Sequence, residues 1–335
     1  MKVGLLGAGR IGSKHAEVLA AHPAVASLLI ADEQPDRAQS LARALGPKAT
    51  AASVSEVFST VAALVVAAPT PAHGDLLLRA AAAGLPTFCE KPLADTLART
   101  VQVAERLAES QVPIQVGFQR RFDAGYTAAR GDLRAGRLGE LRRVHLLTCD
   151  ASPPAPEFIA TSGGIFRDCS IHDFDAVRWV TGREVEAVFA AGVNRGDPWF
   201  GTCGDVDEAA AVLTLDDNTL ATVQASRYNG GGYDVRMELA GTTGTLMVGM
   251  DDRIPLQSAE PGQTFPAGPA HQSFWERFRT AYEAEIRAFV DVARGAIDSP
   301  CTPQDALAAL YVAEAAELSR RESRPVAIAE VRGTR

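Results

Sequence analysis

Short apolar runs alternate with stretches of helical composition through residues 1–120. Val3–Leu6, Leu28–Ala31, Leu64–Ala67, Thr87–Cys89 and Ile114–Val116 read as strands, and Ser13–Ala21, Pro35–Leu45, Pro71–Ala83 and Thr96–Ser110 read as helices. Short apolar strands separated by helices predict a parallel sheet covered on both faces. The rhythm changes near residue 120. A helix is expected over Ala124–Arg134, then a strand over Leu141–Thr148 and a loop carrying Pro153, Pro154 and Pro156. Glu184–Val193, Ala209–Leu215, Leu220–Ser226 and Val235–Ala240 are rich in Val, Leu and Thr and are joined by short turns, which favours antiparallel neighbours. Residues 254–270 read as an irregular loop, and helices over Ser273–Arg294 and Pro303–Ser319 close the chain.

Gly7-Ala8-Gly9-Arg10-Ile11-Gly12 stands between the first strand and the first helix. G-x-G-x-x-G alone is a weak signal, but this context is the right one for a dinucleotide site. In such a turn the first glycine allows the bend, the second lets a pyrophosphate approach, and the third lets the helix pack on the strand. Asp32 follows Gly12 by 20 residues at the end of the second strand, where an acid accepts hydrogen bonds from ribose hydroxyls. A carboxylate there repels a 2′-phosphate, so NAD is favoured over NADP; Arg37 is the nearby group that could serve a phosphate. The fold class expected is α/β. A Rossmann parallel sheet fills 1–120, and an α+β domain with a large, mostly antiparallel sheet fills 121–335. The helix 303–319 is a candidate to return to the first domain.

The stretch SGGIFRDCSIHDFD, residues 162–175, places Asp168, His172 and Asp175 at spacings of four and three. On a regular helix, at ~100° per residue, the three fall on one narrow face. His172 beside Asp168 has what a general base for alcohol chemistry needs: a group titrating near neutrality and a neighbour to orient it. Standing alone, the same spacing is more often that of a solvated helix face with an incidental histidine.

A net charge of −8 disfavours general phosphate-backbone binding, because no basic excess exists to displace counterions. The five cysteines are odd in number, scattered, and include no C-x-x-C. That suits reduced thiols in a cytoplasm better than disulfides or a zinc site, and no metal is expected. Arg10 interrupts the apolar N-terminus early, and no run reaches the ~18 apolar residues of a membrane span. The expectation is a cytoplasmic protein with neither nucleic acid nor membrane as partner.

Four blocks together resemble the glucose–fructose oxidoreductase / inositol dehydrogenase family: GAGRIG with Asp32, APTPAH at 68–73, Glu90-Lys91-Pro92, and SGGIFRDCSIHDFD. The resemblance runs through the later GGYDVR at 231–236 and is nearest to the myo-inositol 2-dehydrogenases. It implies NAD-dependent oxidation of a secondary hydroxyl of a cyclitol or sugar, with Lys91, Asp168 and His172 as the catalytic group. It also implies Arg121, Asp175 and Tyr233 around the substrate, and Thr70, His73 and Glu90 beside the cofactor with Gly7, Gly9, Arg10, Ile11, Gly12, Asp32, Arg37 and Lys91. Asp150 is added as a further donor or acceptor for a polyol. Two departures fall near the substrate: Gly231-Gly232-Tyr233-Asp234 where inositol dehydrogenases often show Y-G-Y-D, and Cys149–Pro156 in place of an S-R-D-P form. The resemblance further implies a homodimer or homotetramer. Lys91 belongs to the first domain and Asp168 and His172 to the second, so a split active site is expected. Another sugar or scyllo-inositol dehydrogenase, a glycoside-cleaving enzyme that oxidises transiently, and a non-catalytic NAD sensor are the competing readings.

Overall fold

In the computed structural model, which describes residues 1–333 other than 264 and 267, the chain falls into two units. The first contains Met1–Phe122 and Thr280–Leu307; the second contains Asp123–Arg279 and the residues from Ala308 on.

The first unit is built from β1 (Lys2–Leu6), α1 (Arg10–Ala21), β2 (Ser27–Ala31), α2 (Pro35–Leu45), β3 (Ala49–Ala51), α3 (Val54–Thr60), β4 (Ala63–Val66), α4 (Thr70–Ala82), β5 (Thr87–Glu90), α5 (Leu97–Ala108) and β6 (Ile114–Gly117). The strands lie in the order β3-β2-β1-β4-β5-β6, every pair parallel. This is the doubly wound arrangement of dinucleotide folds, whose ligands lie beyond the carboxyl ends of the strands. Val3, Leu5, Leu28, Ile30, Val65 and Phe88 fill its core with no exposed surface. Sequence patterning passes over β3, because Ala49-Thr50-Ala51 is a short edge strand without large apolar side chains. It also passes over α3, although Ser53 caps that helix by accepting from the Glu56 N–H at 3.1 Å.

The second unit contains α6 (Ala124–Arg134), β7 (Leu141–Cys149), α7 (Pro156–Ser162), α8 (Ile171–Thr181), β8 (Val185–Val193), α9 (Trp199–Thr202), β9 (Glu208–Leu215), β10 (Leu220–Ser226), β11 (Asp234–Gly241) and β12 (Thr245–Val248). α10 (Phe274–Ala293), α11 (Pro303–Glu322), β13 (Val326–Ala327) and α12 (Ile328–Gly333) complete the chain. Seven strands form one sheet in the order β12-β11-β7-β10-β9-β8-β13. Its pairs are antiparallel except β7 with β10, which run parallel. One face is buried through Val144, Leu146, Val188, Leu213, Val223, Met237 and Leu239, and α8 packs on β7. The alternate positions turn outward. Register joins Phe189, Val212, Thr222, His145, Glu238 and Met247 into one row across the sheet. Phe189 is 45% exposed and Val212 41%.

Two expectations are corrected. The second domain does not run unbroken from 121 to 335, because Thr280–Leu307 belongs to the first unit; residues 334 and 335 lie outside the described residues, as do 264 and 267 of the irregular loop. The cause is apolar: Ile286, Phe289 and Val290 of α10 are fully buried against β1, β2 and Phe88. Burial of such side chains contributes on the order of 1.5–3 kcal/mol each. The segment after it lies along β6, where the Val116 N–H donates to the Cys301 carbonyl at 2.9 Å and the Ser299 hydroxyl to the Ile114 carbonyl at 2.8 Å. Second, residues 162–175 are not one regular helix. α7 ends at Gly163 (φ +81°), Gly164 follows at φ +93°, and Phe166–Ser170 forms a π turn before α8. A π turn carries an extra residue per turn. The even stripe of a regular helix therefore does not describe this segment.

Candidate functional site

The first unit presents an open glycine turn. Gly7 sits at φ +102°, and a Cβ there would press on the carbonyl oxygen of Ala67 and stand 2.7 Å from the Ala68 nitrogen. A Cβ on Gly12 would press on the Gly7 carbonyl oxygen. Among the described residues no atom lies within 4 Å of where a Gly9 Cβ would stand, so the turn is open to a ligand there. Gly9 is the N-cap of α1 and brings no side chain to cap it, which leaves the positive helix end to an anion. A groove of about 500 Å³ runs from this turn, lined by Gly9, Arg10, Ser13, Arg37, Ser40 and Leu41. Ile11 lies beside it, half-buried in the first turn of α1. Asp32 holds the turn to the end of β2: its carboxylate accepts from the Ala8 N–H at 2.7 Å and from the Gln34 N–H at 2.9 Å. The turn, the uncapped helix and the acid fit a dinucleotide. Arg37 lines the same groove.

Lys91 follows the last residue of β5 at the carboxyl edge of the parallel sheet, and the Lys91–Pro92 peptide is cis. Two buried histidines hold the residues on either side of it. His15 Nε2 lies 2.7 Å from Glu90 Oε1, and the ring packs edge-on to Phe88. His73 places Nδ1 2.7 Å from the Pro92 carbonyl and Nε2 2.7 Å from the Ala68 carbonyl. Each is 1% exposed. Thr70, the first residue of α4, is half-buried one turn before His73. Sequence reading assigned His73 and Glu90 but missed His15. The available signal was a polar residue on the face of α1 that also carries Gly12, Ala16 and Leu19.

In the second unit the organising group is Arg227, which sequence reading also missed. It is 2% exposed. One Nη donates to Asp150 Oδ2 and the other to Asp168 Oδ2, each at 3.0 Å. The parallel pairing of β10 with β7 sets Ser226 opposite Cys149, so Arg227 and Asp150 leave the sheet side by side. Their main chains are tied as well. The Arg227 N–H donates to the Asp207 carbonyl at 2.8 Å, the Asp150 N–H to the Ser226 carbonyl and the Asn229 N–H to the Asp150 carbonyl, both at 2.9 Å. Burial opposes the guanidinium charge, but the carboxylates of Asp168 and Asp150 outweigh it and hold Arg227 above the ordinary arginine range. The sequence held no signal for this residue, since a lone arginine after a strand is usually a solvated one.

His172 stands in the first turn of α8, half-buried, four residues after Asp168. The neighbouring Asp173 has no exposed surface, and the Thr148 hydroxyl reaches its two oxygens at 2.8 and 3.0 Å. Asp175 is 1% exposed. Tyr233 is largely buried, and its N–H donates to the His271 carbonyl at 2.7 Å. Arg121 is tied inside the first unit. Its guanidinium donates to the Pro300 carbonyl at 2.8 Å and pairs with Asp305 at 3.2 Å. The reason is burial: a guanidinium 5% exposed needs a counter-charge. Burial pushes the Asp305 carboxyl up, but Arg121 and Thr302 outweigh it and hold it below the usual range. The cysteines beside the site are inert thiols, since burial raises Cys149 to about 12 and Cys169 well above its ordinary value. Among the described residues no cluster of His, Cys, Asp or Glu is arranged to hold a metal, and no helix is long and apolar enough to cross a membrane.

Comparison with known proteins agrees with this geometry. Residues 1–118 match the model of an oxidoreductase family with an NAD-binding Rossmann fold, and residues 126–247 match the GFO/IDH/MocA C-terminal domain. The chain is 40% identical to the myo-inositol dehydrogenase Hyg17 of Streptomyces leeuwenhoekii, over 95% of this chain and 97% of that one. It is 35% identical to the scyllo-inositol 2-dehydrogenase (NAD(+)) of Bacillus subtilis, over 97% of this chain and 96% of that one. The structure of scyllo-inositol dehydrogenase from Lactobacillus casei with bound NAD(H) and scyllo-inositol superposes with a TM-score of 0.87 at 28% identity, covering 98% of this chain and 99% of that one. The chain belongs to the GFO/IDH/MocA family of oxidoreductases and carries that family's NAD-binding Rossmann fold.

Proposed function

We propose that this chain oxidises a secondary ring hydroxyl of a cyclitol with NAD, acting as a myo-inositol 2-dehydrogenase that converts myo-inositol to scyllo-inosose. The observation that carries the reading is the match from end to end with proteins named for inositol oxidation, 40% identical over 95% of the chain in one case. scyllo-Inositol is the second reading, supported by the Bacillus subtilis relative and the Lactobacillus casei structure.

Oxidation of a secondary alcohol removes a proton and a hydride from one C–OH unit. Bound NAD supplies the hydride acceptor, and the protein handles the proton. The glycine turn with Arg10, Asp32 and the groove beside Arg37 would hold the dinucleotide. His172 takes the hydroxyl proton, and Asp168 orients the imidazole or the hydroxyl. Lys91 stabilises the alkoxide charge that develops on the substrate oxygen. Its support is its place after β5, where folds of this class bind ligands. Asp150, Asp175 and Tyr233 are the candidates for bonding the remaining ring hydroxyls.

Self-association through the outward face of the second unit's sheet, as a dimer or tetramer, is part of the same proposal. Its support is the row bearing Phe189, Val212 and Met247, with Leu220 and Val193 also exposed on the sheet. A cytoplasmic setting fits five free thiols.

Four outcomes are expected. His172→Ala lowers turnover at neutral pH by about 10²–10⁴-fold with NAD affinity nearly unchanged, and Lys91→Ala abolishes hydride transfer in stopped flow; near-normal turnover in either variant removes that residue from the mechanism. Asp32→Ala lowers the KM for NADP by about tenfold or more, since like charges a few ångströms apart near a protein surface cost on the order of 1–4 kcal/mol; unaltered cofactor preference would undo the ribose assignment. Phe189→Lys with Val212→Lys converts the assembly to protomers by light scattering, and an unchanged mass would exclude this face.

A further inference from the structure

Arg227 is a buried cation that the proposed chemistry does not use. It is 2% exposed, whereas the side chains of the two carboxylates that it holds keep 23% (Asp150) and 18% (Asp168) of their surface accessible. Each carboxylate therefore turns one oxygen to the guanidinium and keeps part of its surface accessible. Arginine suits this task because its planar fork offers separate donors to two acceptors. The strand register and the three main-chain bonds fix the arrangement before any ligand arrives.

We propose that Arg227 is a positioning residue of the reaction, holding Asp150 and Asp168 side by side as charged acceptors and thereby setting the basicity of His172. The inference rests on the assignment of Asp168 and His172 made above. The charged and titratable groups facing the guanidinium are Asp150 beyond β7, Asp168 and Cys169 in the π turn, and Asp205 in the loop before β9. Asp173 of α8 faces the same turn through Cys169, and His172 follows on that helix. The others are already committed. The Cys169 thiol is kept neutral by burial, Asp173 is bonded to Thr148, and Asp205 Oδ1 accepts from the Ile165 N–H at 2.9 Å. Asp207 receives the N–H groups of Arg195 and Gly196. Removing the Arg227 guanidinium makes the charge balance around Asp168, four residues before His172, more negative by one.

The sign follows. Loss of that positive charge favours the imidazolium of His172, so the free base appears at a higher pH. Asp150→Asn works in the opposite direction, because Arg227 then balances Asp168 alone.

The test uses the full chain with NAD and measures two quantities: the pH dependence of kcat/KM for cyclitol oxidation, and the titration midpoint of the His172 imidazole by NMR without substrate, assigned with His172→Gln. In Arg227→Gln the acid limb and the midpoint both move up by about one pH unit or more. In Arg227→Lys, which keeps the charge but loses the fork, they move less, and in Asp150→Asn they move down. An unchanged far-UV circular dichroism spectrum and melting temperature certify the fold of each variant. Limbs and midpoints that superpose on the parent in Arg227→Gln and Asp150→Asn, with activity lowered equally at every pH, overturn the proposal and leave Arg227 a structural role. If Arg227→Gln fails to fold, the direction of the Asp150→Asn midpoint decides. The imidazole titration needs no substrate, so it stands even if cyclitols are not oxidised; a dependence on His172 with unmoved midpoints refutes Arg227 alone.

Discussion

No side chain fits between the turn after β1 and the end of β4. Gly7 meets the Ala67 carbonyl and Gly12 meets the Gly7 carbonyl, so α1 starts tight against the sheet. A single Cβ at Gly12 would lift that helix. His15 rides on the helix's inner face and bonds Glu90, the residue before Lys91, so the displacement would reach the end of β5. The Asp32 carboxylate adds a second tie from β2 to the same turn. The dinucleotide turn and the setting of Lys91 are therefore two ends of one packed arrangement, and a change in either is felt at the other.

The second unit solves a different problem, that of keeping charge inside. Three buried carboxylates each have a named partner: Asp173 has Thr148, Asp205 has the Ile165 amide, and Asp207 has two amides. Arg227 is the buried cation matched to the two carboxylates that keep part of their surface accessible. Breaking a buried pair by removing one member costs more than the pair contributes, because the remaining charge is left without solvent or partner. That asymmetry makes such a residue informative about its neighbours, since its substitution changes their protonation as well as their position.

Much of this was legible in the sequence, and the gaps have physical causes. G-x-G-x-x-G and Asp32 were readable because they are backbone requirements, and strands such as Leu28–Ala31 were readable because a sheet covered on both faces demands continuous apolar runs. β3 was not, being three small residues at an edge. The π turn at Phe166–Ser170 was invisible, since one extra residue in a turn leaves the D-x-x-x-H spacing unchanged while altering its geometry. The membership of Thr280–Leu307 in the first unit was hidden because an amphipathic helix declares that it has a buried face but not which core receives it. Arg227 and Arg121 illustrate the same limit. Sequence shows an arginine, and only packing shows that one lies between Asp150 and Asp168 and the other against Asp305.

The central claim is net oxidation of a free cyclitol by NAD. It is tested most directly by incubating the intact chain with NAD or NADP and each of myo-, scyllo- and chiro-inositol, glucose and a glycoside, following the absorbance of the reduced nicotinamide. The account predicts NADH accumulating with myo- or scyllo-inositol and more slowly, or not at all, with NADP. Absence of reduction with every cyclitol, or aglycone release from the glycoside without net NADH, would contradict it.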